Sequence, residues 1–254
     1  MIHVTCLAHG LHRVAETIRS ENPEVNELIS VVKKVFVKAP SRIATFQEMA
    51  PNIPLPPEPV VTRWGTWLAA AEYYADHFEI LKAVVDRFNP SESKVVETAQ
   101  EIFKKNRVRG KLAFIKTHFM CIPPAITKLE KHGVLLSESL KTVQSVVDQI
   151  KTVPSTAARV AEKLSSVLEK NPGLEELRHI CCILNGNRQE PNSTMENYDI
   201  AEIVKFKFAP IASCDVERVF SEYKYILNER RQGFLFENLK QMLVVKCLNF
   251  VKEK

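Results

Sequence analysis

The sequence predicts a mainly α-helical protein that folds as a helical bundle, with at most one or two short strands near the N-terminus. Apolar residues recur at intervals of three and four over most of the chain, which is the period of a helix with one buried face. A composition of 45% apolar and 26% charged residues is typical of a globular protein. The 254 residues are enough for a large core in one large or two ordinary domains.

The first fifty residues predict a short strand followed by helices. Residues 2–6 alternate β-branched and polar side chains, so we expect one strand there. A single strand leaves its edges unpaired, and we therefore expect this segment to be poorly held unless a partner covers it. Residues 7–37 have a helical period that breaks near Pro23. Five prolines in residues 51–59 exclude a helix interior and predict an extended connector at a domain boundary.

Helices account for most of the chain after this connector. We expect a long amphipathic helix within residues 66–88, because a helical apolar run stops there before Asn89-Pro90. Four or five further helices follow, with a break at Pro123-Pro124. An apolar stripe runs along residues 136–150, and a later helix is expected to end at residues 171–173, which read Asn-Pro-Gly.

Composition also limits the classes of function. Six cysteines lie at irregular spacings and no leader-like segment precedes them, so we expect a reduced, intracellular protein that is not secreted. No apolar run approaches the roughly 18 residues that a membrane-spanning helix needs, so we expect no membrane partner. The net charge of +5 suits a partner with phosphates but does not require one. Nothing in the sequence indicates a small-molecule substrate.

The most distinctive segment covers residues 209–231. Pro210 ends the preceding element, Ser213 is placed to cap a new helix, and Asp215 and Glu217 put negative charge into its first turn. One face of this helix carries a stripe of large side chains: Val216, Val219, Phe220, Tyr223 and Leu227. Core packing would explain the stripe, but it would not explain the acid followed by Arg218 and a Val-Phe-Ser triplet.

This segment resembles the C-terminal signature of the hAT superfamily of DNA transposases and their domesticated relatives, Ser-x-x-x-Glu-Arg-x-Phe-Ser followed by a basic turn. The resemblance implies that Glu217 is the third acid of a ribonuclease-H-like Asp-Asp-Glu site. It also implies that the helices on either side of the Arg-rich turn form a dimer interface. The side chains expected in this interface are Val219, Phe220, Tyr223, Leu227, Phe236, Leu239, Leu243 and Phe250. From the sequence alone, these stripes could equally face the protein's own core.

Two further segments are similar to hAT motifs and stand in the expected order. The first contains Cys6 and His9, which resemble the Cys-x-x-His block of these enzymes. Taken as a possible zinc half-site, the pair lacks the second Cys or His pair that four-coordinate zinc needs, so we predict structural packing and no metal site.

The second segment has Arg63 and Trp64 in a Thr-Arg-Trp-x-Thr block, which in the family contacts DNA near the cleavage point. The resemblance implies that Trp64 stacks on an unpaired base and that Arg63 approaches the backbone. Trp64 could equally anchor a helix in the core, and this is the reading that we favour for Trp67. A basic run could also follow DNA or be ordinary solvated surface near a helix end at Gly110: Lys104, Lys105, Arg107 and Arg109.

Catalysis is not expected from these residues alone. Two-metal phosphodiester cleavage needs several acidic oxygens around two cations, and the family's first two aspartates would lie upstream of Cys6. The five aspartates of the chain each have a structural explanation: Asp76, Asp86, Asp148, Asp199 and Asp215. We therefore predict a protein that is not an enzyme and holds no cofactor, with divalent metal only in a complete ancestral site. The alternative is the C-terminal part of an active transposase with a further upstream segment.

The resemblance implies three regions. Residues 1–50 would be a remnant of the ribonuclease-H-like α/β domain, residues 60–190 the helical insertion domain, and residues 198–254 the dimerisation region. The implied function is association with itself or with a related hAT-derived protein, with residual DNA binding and a location in the nucleus.

Overall fold

The computed structural model describes residues 2–60, 64–186, 198–227, 233 and 235–252. The mainly helical prediction is confirmed, because fourteen α-helices cover most of these residues. Three short 3-10 turns lie between them, at Pro90–Glu92, Ser155–Ala157 and Phe206–Phe208. The helices are α1 Leu7–Ser20, α2 Pro23–Phe36, α3 Pro40–Met49, α4 Trp64–Asp76, α5 Phe78–Asp86, α6 Lys94–Lys104, α7 Asn106–Phe119, α8 Ile122–Leu129, α9 Leu136–Lys151, α10 Ala158–Glu169, α11 Gly173–Leu184, α12 Ile200–Lys205, α13 Cys214–Ile226 and α14 Phe236–Lys252.

The helix boundaries follow the sequence signals closely, with two differences. The break predicted at Pro123-Pro124 is the first turn of α8, where a missing backbone N–H has no cost. The single long helix predicted within residues 66–88 is two helices, because the chain leaves helical geometry at His77. Trp67 is only 2% exposed and anchors α4 in the core, as predicted.

Helices from both sides of the proline-rich stretch share one hydrophobic core. The first helix, α1, packs against α4, α8 and α10, while α2 packs against α6 and α4 packs against α7. Val14, Ala15 and Ile18 of α1 are completely buried in these contacts. The stretch is non-helical as predicted, but the packing is continuous across it. The ribonuclease-H-like remnant expected for residues 1–50 remains a prediction.

Residues 2–6 do not form a strand, and none of the residues that the structure describes is in one. This prediction was wrong because no neighbouring strand is present in the described part of the chain to complete a ladder. The expectation of a poorly held segment was also wrong. The side-chain amide of Asn171 accepts a hydrogen bond from the Thr5 N–H and donates one to the Thr5 carbonyl, both at 2.9 Å. Ile2 and Val4 also pack against the core.

Candidate functional site

Two of the family-like motifs meet at the start of α13, although more than two hundred residues separate them. The His9 Nδ1 atom lies 3.2 Å from the Cys6 Sγ atom and 3.6 Å from the Glu217 Oε1 atom. Cys6 is the residue before α1, and Glu217 is in the first turns of α13. The two helix N-termini therefore place their positive dipole ends beside a thiol and a carboxylate.

Ser213 joins this group, and sequence reasoning had given it a different role. It stands at the N-cap of α13, as predicted, but its side chain makes no capping hydrogen bond to the backbone. The Ser213 hydroxyl instead donates to Glu217 Oε1 at 2.9 Å, and the Ser213 backbone N–H donates to Cys6 Sγ at 3.2 Å. Nearby, the Leu7 N–H donates to the carbonyl of Ile211, which fixes this segment against α1.

The hydrogen bonds shift the pKa values of Cys6 and His9 in opposite directions. Burial of the Cys6 thiol raises its pKa, but hydrogen bonds from Ser213 and His9 outweigh burial and leave the pKa below its ordinary value. The pKa of His9 is raised, first by its hydrogen bond with Cys6; partial burial opposes this, and the charges of Cys6 and Glu217 add to it. Both shifts favour a thiolate beside an imidazolium.

The ion pair in this group is exposed to solvent. The His9 and Glu217 side chains are 55% and 53% exposed, so their attraction is screened and contributes little to stability. In the described part of the chain, no group of three or more His, Cys, Asp or Glu side chains is arranged to hold a metal ion.

Three of the five aspartates have local roles. Asp76 forms an ion pair with Lys116, Asp148 accepts a hydrogen bond from Gln144, and Asp199 caps α12 together with Glu202.

The structure describes only some of the residues predicted to bind DNA. Arg63 and the side chain of Trp64 lie outside the described residues, so both interpretations of Trp64 remain open. The basic run spans the end of α6 and the start of α7, and Gly110 lies inside α7 rather than at a helix end. Arg109 pairs with Glu79 at 2.7 Å and Lys105 with Glu27 at 4.0 Å. These carboxylates partly neutralise the surface that the run presents.

The predicted interface residues lie on α13 and α14, which pack against each other, except Leu227, which follows the last residue of α13. Phe220, Tyr223 and Phe236 are 61%, 39% and 74% exposed, whereas Leu239 is buried at 7% exposed. Val219, Leu227 and Leu243 are half-buried, and the side chain of Phe250 lies outside the described residues.

The prediction missed several exposed apolar residues of the same region. They are Ile200, Val204, Phe208, Val216, Tyr225, Leu235, Met242, Val244 and Val245. Val216 was part of the predicted stripe but not of the predicted interface; the others are apolar positions outside that stripe, a sequence signal that was not used.

No helix in the described part of the chain has both the length and the apolar character needed to cross a membrane. No protein-family model matches the chain, and no curated protein or solved structure matches it. The resemblance to hAT transposases therefore depends on the sequence motifs alone.

Proposed function

We propose that this chain is a hAT transposase-derived protein that acts by associating with a second copy of itself through α12–α14. In this proposal the chain does not catalyse transposition, and Glu217 is a vestigial third acid. The observation that carries the proposal is the distribution of exposed apolar surface. Of the sixteen exposed large apolar side chains in the described residues, twelve lie between Ile200 and Val245. Such a concentration is typical of a protein interaction site.

The size of this surface suits a dimer. Phe220, Tyr225 and Phe236 are each more than 60% exposed, and Tyr223 adds a fourth, partly exposed ring. An aromatic side chain buries about 150–250 Å² when fully covered, and a standard interface takes about 800 Å² from each partner. Tyr225 lies two residues from Tyr223 and so on another side of α13. The exposed parts of the other three rings supply roughly a third to a half of that area.

A second copy is the partner that the resemblance favours. The two helices flank the Arg-rich segment of the sequence, where hAT proteins dimerise, and a twofold interface uses the same patch on both chains. A related hAT-derived chain would present a similar patch. The implied nuclear location and residual DNA contact through Arg63 and Trp64 belong to the same proposal.

Light scattering with charged variants tests the association. The double variant Phe220→Lys/Phe236→Lys places two cations in the proposed interface, and burying them without a partner would cost free energy. We expect twice the chain mass of 28.9 kDa for the wild-type protein and a single chain mass for this variant. The control is Val37→Lys with Ile183→Lys, which adds the same charge at exposed apolar positions elsewhere. A monomeric wild-type protein, or equal masses for both variants, would overturn the proposal.

A second candidate is the C-terminal part of an active Asp-Asp-Glu nuclease. The observation that favours it is the approach of Cys6 and His9 to Glu217, which places two family-like motifs in one site. The genomic reading frame upstream of codon 1 distinguishes the two, because the second candidate requires two aspartates encoded there to complete a two-metal site with Glu217. A frame that encodes both would favour the nuclease, and one that encodes neither would favour the first candidate.

A further inference from the structure

A cleft of about 310 Å³ opens between α1 and α10, directly beside Cys6 and His9. Its lining is basic. Arg13 lies on one side, and Lys163 and Lys170 lie on the other. None of these three cations belongs to the motifs discussed above.

The packing of the two helices sets the positions of these cations. A Cβ atom on Gly10 of α1 would lie 2.5 Å from Val167 Cγ1 of α10, so the helices approach as closely here as a glycine allows. Lys163 and Lys170 are four residues before and three after Val167, and Arg13 is three residues after Gly10. At these spacings, each cation lies on the same helix face as the contact. The three side chains therefore surround a rigid crossing point rather than a loop.

The negative groups described beside the cleft, Cys6 and Glu217, contact His9 and are not paired with the three cations. No described carboxylate lies within ion-pairing distance of Arg13, Lys163 or Lys170, in contrast to Lys105 and Arg109 of the basic run. The acidic residues of α10 do not line the cleft. Like charges held close together with a low-dielectric wall behind them attract anions strongly.

We propose that this cleft binds a phosphate group. A guanidinium offers a planar pair of donors that fits phosphate oxygens, and two ammonium groups complement a charge spread over several oxygens. The Ser166 hydroxyl, also in the lining, is a further donor. The phosphate comes either from a nucleic-acid backbone or from a free phosphate ion. This inference does not depend on self-association, because the cleft lies within one chain.

The first experiment compares two basic surfaces with the same loss of charge. The cleft variant is Arg13→Ala/Lys163→Ala/Lys170→Ala, and the control is Lys104→Ala/Lys105→Ala/Arg107→Ala. Fluorescence anisotropy with a labelled single-stranded oligonucleotide is recorded over a salt series. For the cleft variant we expect binding at least about tenfold weaker and a salt slope smaller by about 2, since each phosphate contact contributes about 0.7. A cleft variant that binds like the wild-type protein while the control loses binding would overturn the proposal.

The second experiment measures anion binding at the cleft itself through the reactivity of Cys6, which lines it. Iodoacetamide alkylation of Cys6 is followed by peptide mass mapping, with inorganic phosphate or the oligonucleotide present, and Cys121 serves as the internal reference. Protection by inorganic phosphate that the cleft variant lacks identifies a free-phosphate site. Protection by the oligonucleotide alone identifies a phosphodiester site. No protection by either anion in the wild-type protein would contradict the proposal, provided that circular dichroism shows the variants to be folded.

Discussion

The side chain of Asn171 satisfies both backbone groups of Thr5, which lies 166 residues earlier in the chain. An amide side chain presents one acceptor and one donor in the arrangement of a peptide group, so Asn171 replaces the neighbouring strand that residues 2–6 lack. Asn171 is 2% exposed, and its hydrogen bonds are therefore protected from water. This contact fixes the residue before Cys6 and so contributes to the position of the thiol beside Glu217.

Replacement of Asn171 by alanine should destabilise the protein. The Thr5 N–H and carbonyl would lose their partners in a partly buried site, and we expect a loss of about 1–3 kcal/mol in the free energy of unfolding. Urea denaturation measures the change. The control is Asn185→Ala at the C-cap of α11, where the only described side-chain hydrogen bond is a long one of 3.5 Å to Cys181. Equal effects of the two substitutions would mean that the Thr5 contact contributes nothing.

The sequence predicted the helices well because their period is a local property. The stripe along residues 136–150 is α9, and α1 and α2 separate at Pro23 as expected. Contacts distant in sequence carry no such signal. The amide of Asn171 looked like part of a helix-ending Asn-Pro-Gly turn, and nothing local pairs it with Thr5.

In the candidate site, too, local features could be predicted from the sequence, whereas contacts between distant residues could not. Cys6, His9 and Glu217 were selected by resemblance. Only the fold shows that His9 lies within 4 Å of both the Cys6 thiol and the Glu217 carboxylate. Ser213 was assigned to helix capping because side-chain type and position predict a cap. Its hydroxyl bonds Glu217 instead, since that carboxylate lies one turn further along the same helix.

Cys6 should be the more reactive of two half-buried cysteines. Its pKa is lowered by hydrogen bonds from Ser213 and His9 that outweigh burial, whereas burial raises the pKa of Cys121. Since the thiolate is the nucleophile, Cys6 should be alkylated faster at neutral pH. In His9→Ala, the pH midpoint of Cys6 alkylation should rise, because one hydrogen bond to the thiolate is lost. His132→Ala serves as the control, and an unchanged midpoint in His9→Ala would contradict the arrangement.

The charge of Glu217 should change the pKa of His9 but have little effect on the free energy of unfolding. Glu217 raises the pKa of His9, so Glu217→Gln should lower the midpoint of the His9 titration measured by NMR. The amide can still accept the Ser213 hydrogen bond, and an exposed ion pair contributes less than about 1 kcal/mol. We therefore expect little change in the free energy of unfolding. Glu138→Gln, which removes a carboxylate beside Lys128, should leave His9 unaffected. A large loss of stability in Glu217→Gln would assign the carboxylate a structural role.

Two glycines should respond in opposite directions to the same substitution. A Cβ on Gly173 would lie 2.3 Å from the carbonyl oxygen of His3, and because backbone cannot move away by changing rotamer, the N-terminal segment must shift. We expect Gly173→Ala to destabilise the protein by about 1–3 kcal/mol. Gly110 lies inside α7 with no atom within 4 Å of an added Cβ, so Gly110→Ala should stabilise by roughly 0.5–1 kcal/mol. Thermal unfolding of both variants gives the direction of each change in stability. An undiminished stability of Gly173→Ala would show that the N-terminal segment does not pack against the first residue of α11.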